Sequence, residues 1–152
     1  MPRGTRRLPD ACIERLRRAD LILHAGDLMT MAVLRELKAY GEVVAVHGNV
    51  DDAEVRATLP ASATVEIEGA TIAVTHDAGP AKGRLARMRR QFPEADAVVF
   101  GHSHIPLHER AADGFQIFNP GSPTERRRAP SRTMGMAHTL DGRVSFELIV
   151  LG

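Results

Sequence analysis

Apolar side chains along this chain switch repeatedly between a helical and a strand period. From Pro9 to Ala19 they recur at Ala11, Ile13, Leu16 and Ala19, which predicts a first helix. The run Leu21–Leu23 follows as a short strand. A second helix, from Met29 to Tyr40, is expected to turn Met31, Leu34, Leu37 and Ala39 inward and to stop at Gly41. Val43–Val46 reads as a strand. Pro60 breaks what precedes it, and Val65–Ile67 with Thr71–Thr75 form a hairpin around Glu68-Gly69. Lys82–Phe92 is a basic amphipathic helix and Ala97–Phe100 another strand. Beyond it the pattern turns to β: Phe115–Phe118, then Met134–Leu140 and Val144–Val150 joined by an Asp141-Gly142 turn. Helices alternate with strands early and hairpins dominate late, so the pattern predicts a layered α/β protein. No internal repeat, low-complexity tract or domain linker interrupts it.

A length of 152 residues suits one domain around one hydrophobic core. With 43% hydrophobic and 26% charged residues, the chain reads as a soluble globular protein. A net charge of +1 argues against a dedicated nucleic-acid binder. No apolar run approaches the roughly 20 residues of a membrane helix. The basic start, Met1 to Arg7, lacks the apolar stretch of a secretory signal, so a cytoplasmic location is expected. One cysteine cannot make an internal disulfide; Cys12 is expected to be a small buried apolar residue rather than a nucleophile.

Four apolar runs end in residues able to bind a metal. Leu21–Leu23 leads through Gly26 to Asp27, and Val43–Val46 leads through Gly48 to Asn49. Thr71–Thr75 ends at His76, and Ala97–Phe100 ends at Gly101-His102-Ser103-His104. Two imidazoles at i and i+2 of an extended segment point to the same side. Open α/β sheets place ligands just beyond the C-terminal ends of their strands. Each residue alone also has a plain reading: Asp27 as a helix cap, Asn49 as a turn residue, His76 as a satisfied core histidine. Together they predict one site, and mixed His, Asp and Asn ligands suit Mn, Fe, Zn, Co or Ni rather than Mg or Ca alone. Asp51 is placed to orient a ligand through an outer hydrogen bond. Asp52 is expected to be exposed or a helix cap, and His24, His47, His108 and His138 structural or solvent-exposed. Asn119-Pro120-Gly121-Ser122 is a turn signal. The Glu125-Arg126-Arg127-Arg128 run after it is either a solvated loop or a phosphate-steering rim.

Taken in order, Gly26-Asp27, Gly48-Asn49-Val50-Asp51, Thr75-His76, Gly101-His102-Ser103-His104 and Asn119-Pro120-Gly121-Ser122 resemble the calcineurin-like metallophosphoesterases. More narrowly they resemble the small bacterial phosphodiesterase branch of YfcE-type enzymes. The resemblance implies a four-layer α/β/β/α sandwich of two mixed β-sheets flanked by helices. It also implies a dinuclear metal site and hydrolysis of phosphodiesters, or of phosphomonoesters, by a metal-bridging hydroxide. Asp27 would bridge the two metals; Asn49, His76 and His102 would complete one metal's shell, and His104 would bind the other. The implied cofactor is a divalent metal, Mn²⁺ first among the candidates, with two ions in the family and one possible here. The implied partner is a phosphoester small molecule or a nucleotide, with no membrane; nucleic acid is disfavoured but stays open through the Arg126–Arg128 cluster, and self-association is plausible. Some relatives place a histidine directly after the motif asparagine; here that position is Val50, so the general acid is not identified.

The family begins with a strand ending in an Asp-x-His motif, and this chain has neither. One metal position then keeps Asp27, Asn49, His76 and His102, and the other keeps Asp27 and His104. Met1 is accordingly expected to be an internal methionine, with the natural start roughly ten residues upstream, enough for one strand. The whole of residues 1–152 is expected to be a single, N-terminally truncated domain. The alternative function is a non-catalytic interaction scaffold of the same fold with a degenerate metal site.

Overall fold

The computed structural model describes residues 7–152. The first helix, α1 (Asp10–Arg18), leads into strand β1 (Ile22–His24). Helix α2 (Met31–Tyr40) returns the chain to β2 (Val43–Ala45), which pairs with β1 in parallel. A short α3 (Ala53–Thr58) precedes the hairpin β3 (Ser62–Ile67) and β4 (Ala70–Thr75). Helix α4 (Arg84–Gln91) then crosses to β5 (Ala97–Val99), followed by β6 (Leu107–Arg110), β7 (Gln116–Asn119), β8 (Thr133–Leu140) and β9 (Arg143–Val150).

Five strands form one mixed sheet in the order β3-β4-β5-β7-β6. Its centre, β4-β5-β7, is parallel and its edges antiparallel. Strand alternation sorts the side chains of this sheet onto two faces. Ala73, Val98, Ile117 and Phe100 pack with Met88 of α4 on one side. Ile72, Ala97 and Val99 face the other way, against Leu23, Val144 and Phe146. A third cluster, with Cys12, Leu34, Leu37 and Val55 at its centre, covers the outer side of β1–β2. It reaches Met134 and Ile149 of the β8–β9 hairpin as well. The layers therefore run helices, strands, sheet, helix, which is the predicted four-layer α/β/β/α order.

The inner strand layer differs from a continuous second sheet, because it consists of two separate pairs, β1–β2 and β8–β9. Between them runs a groove of about 790 Å³, walled by Leu21–Gly26 on one side and Thr133–Thr139 on the other. Val99 and Phe118 lie along its floor, and His76, His102 and His104 open onto one end.

Two elements escape the sequence pattern. Helix α3 spans six residues, too few to display a periodic face, and is set by its N-cap: Asp52 accepts from Val55 N–H at 2.9 Å. Strand β6 is an edge strand with an intermediate-then-exposed profile, so no alternation marks it. Ala39, expected to face inward, is exposed, while Val33, Leu34 and Leu37 form the buried stripe of α2. On α1 it is Cys12 that is buried, and burial pushes its thiol up to about 11 against the pull of Arg15. Such a thiol is protonated at neutral pH and a poor nucleophile.

Candidate metal centre

The site is built where strands stop. Asp27 and Asn49 lie on the loops that leave β1 and β2, while His76 and His102 follow β4 and β5. The inner strand pair and the five-stranded sheet thus contribute two residues each.

Glycines let these loops meet. A Cβ on Gly26 would come within 2.6 Å of His76 Nδ1, and one on Gly48 would overlap the carboxylate and backbone of Asp27. Asp27 itself adopts a left-handed backbone at φ 60°, as do His102 at 68° and His104 at 61°. Left-handed residues other than glycine each cost about 1 kcal/mol or more, and such strain collects at functional sites. Asp51, buried, holds the Asp27 turn in place. Its carboxylate accepts from the backbone N–H of Gly48 at 2.6 Å, Met29 at 2.6 Å and Asp27 at 3.2 Å.

At the centre is His76, whose Nδ1 lies 2.7 Å from the Ala25 carbonyl oxygen. A carbonyl only accepts, so Nδ1 carries a hydrogen and Nε2 is the nitrogen that faces the site. Nε2 faces Asn49 Oδ1 at 2.8 Å, Asp27 Oδ2 at 3.2 Å and His102 Nδ1 at 3.2 Å. His102 Nδ1 lies 3.2 Å from Asn49 Oδ1. Ligand atoms of Asp27, His76 and His102 all fall within 4.8 Å of one another. When the His76 ring is protonated, its one Nε2–H is shared between the Asp27 carboxylate and the Asn49 amide oxygen. Two oxygens and two ring nitrogens thus face one another at the strand ends, a mixed donor set of the kind a divalent cation takes.

The titrating groups respond to this crowding. Burial opposes the Asp27 carboxylate, but hydrogen bonds from His76 and Val50 N–H outweigh it and hold the group down to about 2. Burial likewise works against protonation of His76, yet the Asp27 carboxylate and the Ala25 carbonyl raise its pKa. His24 lies beside the site, where its Nδ1 accepts from Gly26 N–H at 3.2 Å; burial lowers it to about 3 and keeps it neutral.

His104 stands outside the converging set. Its Nδ1 meets the Glu125 carbonyl at 3.0 Å, leaving Nε2 as its open nitrogen, as at His76. Burial, and then the charge of Arg127, lower its pKa. Of the other histidines, His108 pairs with Gln116 at 2.7 Å and exposed His138 approaches Glu147 at 3.8 Å. The turn at Asn119 is a brace: its amide donates to Gly101 O at 3.0 Å, and its Oδ1 accepts from Gly121 N–H at 2.9 Å. Ser122 Oγ accepts from Glu125 N–H at 3.0 Å and so fixes the start of the arginine loop. No sequence period reveals these braces, because they join loops.

A five-stranded sheet backed by two strand pairs and flanked by helices, with Asp, Asn and His side chains gathered at the strand ends, is a layered α/β fold with a candidate metal site. The chain belongs to the calcineurin-like phosphoesterase superfamily, whose domain model matches residues 4–142. It is 32% identical to a probable metallophosphoesterase of Methanothermobacter thermautotrophicus, over all of this chain and 88% of that protein. Its fold matches Vps29 of Entamoeba histolytica with a TM-score of 0.78, at 21% identity, over all of this chain and 94% of that one. It also matches an archaeal phosphodiesterase with a TM-score of 0.70, at 19% identity, covering 91% and 90%. The family uses divalent metal ions. Among the described residues no helix is long and apolar enough to cross a membrane.

Proposed function

We propose that the chain is a metal-dependent phosphoesterase that hydrolyses phosphodiesters or phosphomonoesters, with Mn²⁺ as the favoured ion. The observation that supports this reading is the gathering of Asp27, Asn49, His76 and His102 at the strand ends, with ligand atoms of Asp27, His76 and His102 within 4.8 Å of one another. These residues would hold a divalent ion, which would supply Lewis-acid polarisation of phosphoryl oxygens and of a water. Asp27 and His76 supply the charged and the basic ligand, Asn49 a neutral oxygen, and His102 the second imidazole. His104 Nε2, with Asp27, offers a second, poorer position. Asp51 is a positioning residue that fixes the Asp27 turn through three backbone hydrogen bonds. No serine or cysteine is required as nucleophile, in keeping with the raised thiol of Cys12.

The test is hydrolysis of bis(p-nitrophenyl) phosphate with added Mn²⁺, comparing the parent chain with His76→Ala. Metal-dependent turnover that disappears in the variant is the expected result. A folded parent with no turnover overturns the reading for this chain. The likeness to Vps29 brings in the alternative of a non-catalytic scaffold, which would tolerate His76→Ala without loss of its partner.

A further inference from the structure

We propose that Arg127 anchors a phosphoryl oxygen of the ligand at the mouth of the metal centre, which fits the site to phosphate groups carrying a full dianionic charge. The inference rests on the phosphoesterase reading and assigns the arginine loop a place in it. Arg127 is exposed, yet it is not loose: its Nη1 donates to the backbone carbonyl of His102 at 3.0 Å. That carbonyl belongs to one of the converging residues. The backbone at Arg127 is left-handed, φ 47°, a conformation that an arginine adopts at a cost. On the same loop Glu125 is bound to His104 through its carbonyl, and Ser122 caps the loop's start. The segment is therefore tied down at both histidines of the His-x-His pair.

The neighbouring arginines differ. Arg126 donates to Pro130 O at 3.2 Å, a contact within its own loop. Arg128 is exposed and makes no hydrogen bond or ion pair with the described residues. Arg127 uses one of its five N–H donors on His102, and no carboxylate pairs with it among the described residues. A planar guanidinium with unused donors beside a cation site matches an anion whose oxygens reach both. Such a contact discriminates by charge, because a second negative charge on phosphate strengthens it where a phosphodiester monoanion gains less.

The experiment is calorimetric titration of inorganic phosphate into the Mn²⁺-loaded protein, for the parent, Arg127→Gln, Arg127→Lys and the control Arg128→Gln. Turnover of p-nitrophenyl phosphate and bis(p-nitrophenyl) phosphate is measured in parallel. Arg127→Gln is expected to weaken phosphate binding about tenfold, equal to about 1.4 kcal/mol. It should raise KM for the monoester more than for the diester while changing kcat less. Arg127→Lys should fall between, and Arg128→Gln should match the parent. Phosphate binding that is equal in parent and Arg127→Gln, or absent from the metal-loaded parent, overturns the anchor. Weakened phosphate binding in Arg127→Gln without turnover in any variant supports the anchor and instead sinks the hydrolytic reading.

Discussion

Asp51 lies outside the converging residues yet braces the loops that carry two of them. Its carboxylate satisfies three backbone N–H groups on the two loops that carry Asp27 and Asn49. Removing a charged acceptor strands those donors, each at about 1–3 kcal/mol when buried. Asp51→Ala is therefore expected to lower stability by about 3 kcal/mol, read from a urea unfolding midpoint. Because the Asp27 turn loosens, Mn²⁺ affinity should also fall at least tenfold, on the order of what supporting partners of metal ligands contribute. Asp51→Asn, which keeps one acceptor oxygen, should lose less of both. If Asp51→Ala binds Mn²⁺ as tightly as the parent, the residue only stabilises the fold. Gly48 belongs to the same argument: any Cβ there would displace Asp27.

At the scale of elements, short pieces are fixed by single contacts rather than by pattern. Helix α3 begins at Asp52, whose side chain accepts from Val55 N–H, and Asp52→Ala should cost about 1 kcal/mol in the same unfolding assay. No loss would mean that Val55, fully buried, holds the helix alone. The same contrast explains what could be read from the chain. Helices α1, α2 and α4 and most strands announce themselves by period, and glycines at 26 and 48 mark where strands release a candidate ligand. The clustering of Asp27, Asn49, His76 and His102 was legible because each ends an apolar run. Strand β6, an exposed edge, and α3, less than two turns, left no periodic trace. Neither did the left-handed backbone at Asp27, His102 and Arg127, which comes from tertiary contacts between loops that the sequence does not place side by side.

On the scale of the whole molecule, the candidate ligands straddle two layers. Asp27 and Asn49 hang from the β1–β2 pair, whereas His76 and His102 hang from the five-stranded sheet. The β1–β2 pair is a small two-stranded unit, of the kind that depends on packing for its stability. A cation held by all four residues would pin that pair to the sheet behind it. An ion that binds only the folded state adds about 2.7 kcal/mol at a hundredfold excess over its dissociation constant. For a chain of this size that predicts a rise in Tm of roughly 5–10 °C on adding Mn²⁺. The rise should vanish in His76→Ala, whose metal-free Tm gives the baseline for its own lost contacts. Hydrogen exchange should locate the effect, with new protection in β1 and β2 exceeding that in α4, which packs on the far face of the sheet. Uniform protection would mean that the ion stabilises the fold without clamping its layers. An unchanged Tm at saturating Mn²⁺ would mean that the four residues do not hold the ion together.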